Sequence, residues 1–189
     1  MKKKKDNYIY HNFKLAIKDI KKLKNYLIFS ILVFFLFMVL GLIFPNFFEE
    51  QIRELIKTLI EKTQELSTLE LISFIMANNI QVAFFGIIFG IIFGILPTLG
   101  LIVNGYVLGF VAYHSMLEEG IFILWRLLPH GIFEIPAILI STSLGIRLGT
   151  DFKNFKKNLK SAIRVFLLIV VPLLVIAGII EGLFIGLVG

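Results

Sequence analysis

Cysteine is absent from this 189-residue chain, which excludes disulfides, zinc–thiolate centres and thiol chemistry. Charge is missing from long stretches: Tyr26–Phe44 carries none. That run also lacks a small-residue cleavage site, so it reads as an anchor rather than a removed signal peptide. No pairing of serine with lysine or histidine, and no pair of aspartates, points to intramembrane proteolysis. The His130-x3-Glu134 spacing lacks the His-Glu-x2-His order of metalloproteases.

What remains is mostly apolar. Hydrophobic residues make up 58% of the chain and mean hydropathy is +0.91, against roughly 45–50% apolar in a soluble domain. Several runs approach the ~20 residues that cross a bilayer as helix. The expected fold is therefore an all-α, polytopic membrane bundle of five spans, with short broken or re-entrant segments. The net charge of +6 gathers beside apolar runs, where it sets topology and meets anionic lipid, so nucleic acid is not the expected partner.

Residues 1–25 form a basic segment with Lys2–Lys5, Lys14, Lys18, Lys21, Lys22 and Lys24. Ile9, Phe13, Ile17 and Ile20 share one helical face, the pattern of an amphipathic helix on the cytoplasmic membrane surface. Spans are expected at about 26–44, 80–103, 105–117, 129–148 and 165–188. An external amphipathic segment at 47–78 carries glutamates and a helical apolar period. Pro97 and Gly100 should bend or break the second span, and Asn104-Gly105 reads as a tight turn. At 1.5 Å per residue the piece after that turn covers only about 18 Å, which suggests a half-span. Residues 121–128 suit an interfacial or re-entrant piece. Gly86, Gly90 and Gly94 form a stripe that admits another helix, within the subunit or across a homodimer; we favour the homodimer.

Counting positive residues orients the chain. The amino terminus and the Arg147–Arg164 loop are basic, while 47–78 and Glu118-Glu119 are acidic. Five crossings then place the amino terminus in the cytoplasm and the carboxyl terminus outside the cell membrane.

Within that topology, polar residues from four segments share one depth near the outer face. His130 and Glu134 are one helical turn apart, on one face. Glu181 lies about 24 Å up the last span, and His114 and Asn79 fall at a similar level. Pro136 leaves the Ile132 carbonyl without its helix partner. Pro129 suits the first position of its helix. Ionisable groups in hydrocarbon mark functional sites or required internal pairs. His130, Glu134, Glu181 and His114 thus form a candidate site for a divalent cation, Zn or Mn, or for a proton; an internal hydrogen-bond network is the plainer alternative. Asn79, Asn104, Gly105, Arg126, Pro129, Gly131 and Pro136 are its candidate structural and polar surroundings. Arg126 is a candidate counter-ion to the glutamates or a snorkelling side chain.

These motifs resemble a known family. Asn78-Asn79 opens a Gly-rich span, followed by Asn104-Gly105-x3-Gly109, Pro129-His130-Gly131-x2-Glu134-x2-Ala137 and Gly145-Ile146-Arg147-Leu148-Gly149. Together they resemble the integral membrane proteins similar to stage II sporulation protein M, over about Asn78 to Gly149. The resemblance implies a multi-helix protein of the cytoplasmic membrane. It also implies a non-enzymatic partner or scaffold for membrane or envelope proteins, since the namesake works with peptidoglycan-remodelling proteins in spore formers. A transporter or channel is the alternative, from the half-spans and the intramembrane His/Glu set. A metal hydrolase using His130 and Glu134 comes third.

Overall fold

The computed structural model describes the backbone of residues 2–127 and 130–188, and the side chains of residues 8–125 and 131–186. The described residues contain no strand. Among the described residues eight α-helices follow in order: α1 Lys2–Lys21, α2 Lys24–Ile43, α3 Glu49–Thr63, α4 Thr68–Ile88, α5 Ile95–Glu119, α6 Ile135–Thr150, α7 Phe155–Val165 and α8 Val171–Val188. Among the described residues five stretches are long and apolar enough to cross a membrane: Lys24–Ile43, Thr68–Ile91, Ile95–Glu119, Gly131–Thr150 and Phe152–Gly186. The expected all-α, five-span membrane bundle is the observed fold. One end of it is basic, formed by α1, α7 and the α6–α7 turn. The other is acidic, formed by α3 and the end of α5.

Two boundaries differ from the sequence reading. The second span starts at Thr68, not near 80, because Ser67 and Glu70 form a capping box. The Ser67 amide donates to Glu70 Oε2 (2.9 Å), and the Glu70 amide to Ser67 Oγ (3.5 Å). The expected 47–78 segment is thus divided between α3 and the first half of α4.

The break between spans falls at Phe89–Gly94 rather than at Pro97 or Gly100. Phe93 and Gly94 take φ of 51° and 70° there. Pro97 sits in the first turn of α5, where a missing N–H removes no helix bond. Asn104-Gly105 does not turn the chain. Asn104 Nδ2 donates to the Gly100 carbonyl (2.8 Å), and Gly105 lies against the Phe34 carbonyl of α2. The expected half-span at 105–117 is therefore part of a continuous 25-residue helix. Residues Ile121–Leu127 form a short 3-10 stretch.

In hydrocarbon, apolar side chains gain nothing by leaving lipid for a neighbouring helix, so close backbone packing and hydrogen bonds hold the bundle. Three glycine seams do this. Gly41, Gly105 and Gly109 bring α2 and α5 together as a parallel pair. Gly90, Gly145 and Gly149 do the same for α4 and α6. Gly178, Gly182 and Gly186 seat antiparallel α8 on Met76, Ile72 and Thr68 of α4. The Gly86–Gly94 stripe thus packs inside the subunit, and a homodimer would use another face. Two hydroxyl contacts add to the seams: Ser141 Oγ donates to the Ala83 carbonyl (2.6 Å), and Ser30 bonds Ser143 (3.0 Å). The Gly131–Thr150 span is the inner one, 61% buried against 17–33% for the other four. This accommodates the consecutive Ser141, Thr142 and Ser143 at its middle, all buried.

The seams make a direct prediction. A Cβ at Gly149 would fall on the Gly90 carbonyl, so Gly149→Ala should destabilise the protein by about 1–3 kcal/mol. Gly100 has open space around it, so Gly100→Ala should be neutral or stabilising by up to about 1 kcal/mol. Thermal unfolding of the full chain in mild detergent measures both; a Gly149→Ala protein that melts like wild type would refute the α4–α6 seam.

Candidate functional site

The site begins with a distortion. His130–Glu134 winds as a π-helix just before Pro136, and Phe166–Val170 does so just before Pro172. A proline removes one rung of the helical ladder, and π-winding is one way a helix absorbs such an interruption; π-segments are frequent at functional sites. Glu134 ends the first π-segment and leads into α6.

Glu134 faces α4. Asn79 Nδ2 donates to Glu134 Oε2 at 2.8 Å, and the two side chains are 8% and 5% exposed. A buried amide bonded to a buried carboxyl group avoids the cost of leaving either one unpaired. The α4–α6 seam aligns it: Asn79 and Glu134 are 55 residues apart, the same offset that separates Gly90 from Gly145.

Beside this bond a cleft of about 460 Å³ opens at the acidic end. Asn78, Asn79, Glu134 and Glu181 line it, under the turn at Thr63–Leu66. Glu181 comes from α8, beside the Gly182 contact with Ile72. Each carboxylate is engaged by neighbouring groups. Two carboxylates bordering one small cleft repel each other unless a proton, a cation or a donor offsets their charge. The chemistry on offer is acceptor-rich binding, with amide donors at its edge.

The sequence-predicted residues are distributed as follows. Glu134, Glu181 and Asn79 come together. His114 lines a separate cavity of about 710 Å³ under α3, with Arg53, Lys57 and Glu118. Its ring lies 4.4 Å from that of Phe110, and its Nε2 is buried without a hydrogen-bond partner among the described residues. Asn104 and Gly105 belong to the α2–α5 packing. Gly131 lies in the π-segment with open space where a Cβ would be. Pro136 opens α6. The side chains of His130 and Arg126, and all of Pro129, lie outside the described residues. Among the described residues no group of three His, Asp or Glu side chains is placed to hold a metal.

The sequence reading missed two things. Ser141 and Ser143 signal an inner helix by their place in an otherwise apolar span. Asp19 binds Arg164 at 2.7 Å, tying α1 to α7.

Comparison with known proteins identifies a family. Residues 30–184 match the family described as Stage II sporulation protein M. The chain is 30% identical to the uncharacterized protein MJ0706 of Methanocaldococcus jannaschii over 197 aligned positions, covering 90% of this chain and 86% of that one. No solved structure matches.

The Asn79–Glu134 bond can be tested by stability. Glu134→Leu leaves the Asn79 amide without this acceptor in a buried setting, so a loss of about 1–3 kcal/mol is expected. Glu134→Gln keeps an oxygen in the same place and should retain most of that stability. Equal losses for both variants in thermal unfolding would show that the bond itself contributes little.

Proposed function

This chain belongs to the Stage II sporulation protein M family, and from that premise we propose that it is a non-enzymatic, multi-pass protein of the cell membrane. It acts as a membrane partner or scaffold, and the cleft at its acidic end accepts a cation or the cationic group of a partner. One observation carries this reading: Asn79 and Glu134 line the cleft, and further along the same helices α4 and α6 are held together by glycine contacts and the Ser141–Ala83 bond. A cleft at the end of a closely joined helix pair suits recognition. The amphipathic α3, with Leu55, Leu59 and Ile60 exposed, flanks the entrance and offers a further docking surface.

A transporter for an ion or small solute is the second reading, favoured by the same cleft and by the two π-segments on the helices that carry its carboxylates. The two readings differ in flux. Mn²⁺, Zn²⁺ or methylammonium, added at constant ionic strength, should raise the melting temperature of the wild type but not of Glu134→Gln or Glu181→Gln. A wild-type melting temperature indifferent to all three refutes cation binding. In sealed proteoliposomes the scaffold reading expects no cation flux, and flux abolished by Glu134→Gln would replace it with the transporter.

Orientation is part of the proposal. The basic end, with Lys157 and the amino terminus, faces the cytoplasm, and the acidic end, with Thr63 and the carboxyl terminus, faces outward. Single cysteines at Thr63 and Lys157 should be labelled by an impermeant thiol reagent in intact cells only at Thr63. Labelling at Lys157 would reverse the assignment.

A further inference from the structure

The acidic cleft is matched at the other end of α6 by a pocket of opposite charge. Between α1, α6 and α7 a cavity of about 250 Å³ is lined by Lys22, Arg147, Lys157, Lys160, Ser161 and Arg164, with Asp19 as its one carboxylate. Asp19 is already shared: Arg164 Nη1 lies 2.7 Å from one of its oxygens and Lys22 Nζ 3.3 Å from the other. Asp151, just after α6, is engaged by Asn154 Nδ2 (3.1 Å) and Asn158 Nδ2 (2.9 Å). Those two amides, chiefly Asn158, hold its carboxyl below the usual carboxylate range, and the Arg147 charge adds to the effect.

Donors at the back of this pocket are nevertheless unused. Arg147 Nη1 is buried and has no hydrogen-bond partner among the described residues. Ser161 is 6% exposed, and its Oγ is equally without a partner among them. A buried guanidinium N–H left unbonded is costly, so such donors normally meet an acceptor. The exposed Lys157 and Lys160 add positive charge at the rim. A guanidinium, a hydroxyl and flanking ammonium groups together match a phosphate oxygen set.

The position selects the source of that phosphate. The pocket lies at the basic end of the spans, where lipid headgroups meet a bundle, and basic pockets between membrane helices are known to take anionic headgroups. The adjacent α1 leaves Ile9, Phe13 and Ile17 exposed while packing Ala16 and Asp19 inward, so it presents an apolar side to surrounding lipid. We propose that the pocket between α1, α6 and α7 binds the phosphate of an anionic phospholipid, with Arg147 and Ser161 as inner donors and Lys157 and Lys160 at the rim.

The test uses the full chain purified in neutral detergent, with phosphatidylglycerol or phosphatidylcholine added in mixed micelles at constant ionic strength. Bound lipid is counted by native mass spectrometry, and melting is followed in parallel. Phosphatidylglycerol should bind and raise the melting temperature; phosphatidylcholine should do so at least tenfold more weakly. Arg147→Gln and the rim variant Lys157→Gln/Lys160→Gln should each weaken phosphatidylglycerol binding about tenfold or more. The rim lysines are exposed, so that variant should fold even if Arg147→Gln does not. Lys57→Gln/Lys62→Gln removes the same charge from α3 at the far end and should leave binding unchanged. Equal loss in the α3 variant, or no loss in the rim variant, overturns the site. Inorganic phosphate that protects the wild type as well as the lipid does, and displaces it, would make a free anion the ligand and overturn the lipid assignment.

Discussion

The backbone contact between α4 and α6 is the constraint on which the rest of this molecule depends. Lipid tails are as apolar as leucine, so burying apolar side chains cannot by itself hold two membrane helices together. Gly90, Gly145 and Gly149 remove the side chains that would keep the helices apart, and the Ser141–Ala83 bond fixes their register. Once Gly90 lies against Gly145, three helical turns of parallel packing bring Asn79 to Glu134 at the acidic end. The polar pair is a consequence of the seam. Because α6 and α8 both pack against α4 and against each other, Glu134 and Glu181 reach the same cleft from separate helices.

The inner position of α6 explains its composition. Ser141, Thr142, Ser143 and Arg147 would be expensive on a lipid-facing helix, but on the most enclosed span each meets protein. Its two ends then carry opposite chemistry. Glu134 and its amide partner border an acceptor-rich cleft, while Arg147 borders a donor-rich pocket on the side of α1 and α7. The serines between them bond to neighbouring helices: Ser141 to the Ala83 carbonyl of α4 and Ser143 to Ser30 of α2.

Much of this was legible in the sequence, and the failures have physical causes. Composition and charge pattern settle the all-α, five-span class. Depth alone could not separate Glu134, Glu181 and Asn79, which line one cleft, from His114, which lines another, because depth carries no azimuth. The azimuth was partly present: Asn79, Ala83, Gly86 and Gly90 recur at helical spacing of three and four along one face of α4, and Ala137, Ser141, Gly145 and Gly149 do so on α6. Small residues on a face mark the side that meets a helix, so the polar residue in each series had to point inward. The boundary errors came from weighing breakers above context. Pro97 sits in a first turn, where it breaks nothing, and Gly105 is helical because the Phe34 carbonyl lies where a side chain would go. Ser67 and Glu70, a capping box in plain view, were the missed start signal.

The same seam weighs on the choice between recognition and transport. To pass a solute below Glu134, α6 would have to leave α4, breaking the Ser141–Ala83 bond and disturbing Ser30–Ser143. At roughly 0.6–2 kcal/mol for each interhelical polar contact, those two bonds alone hold an open state to the order of a few per cent, and the glycine contacts lower it further. A ligand shifts such an equilibrium only by binding the open state better than the closed one. A cation bound between Glu134 and Glu181, as proposed, would do the reverse, because it would link α6 to α8 in the closed arrangement. On that proposal, occupancy of the cleft would tighten the bundle, as recognition requires.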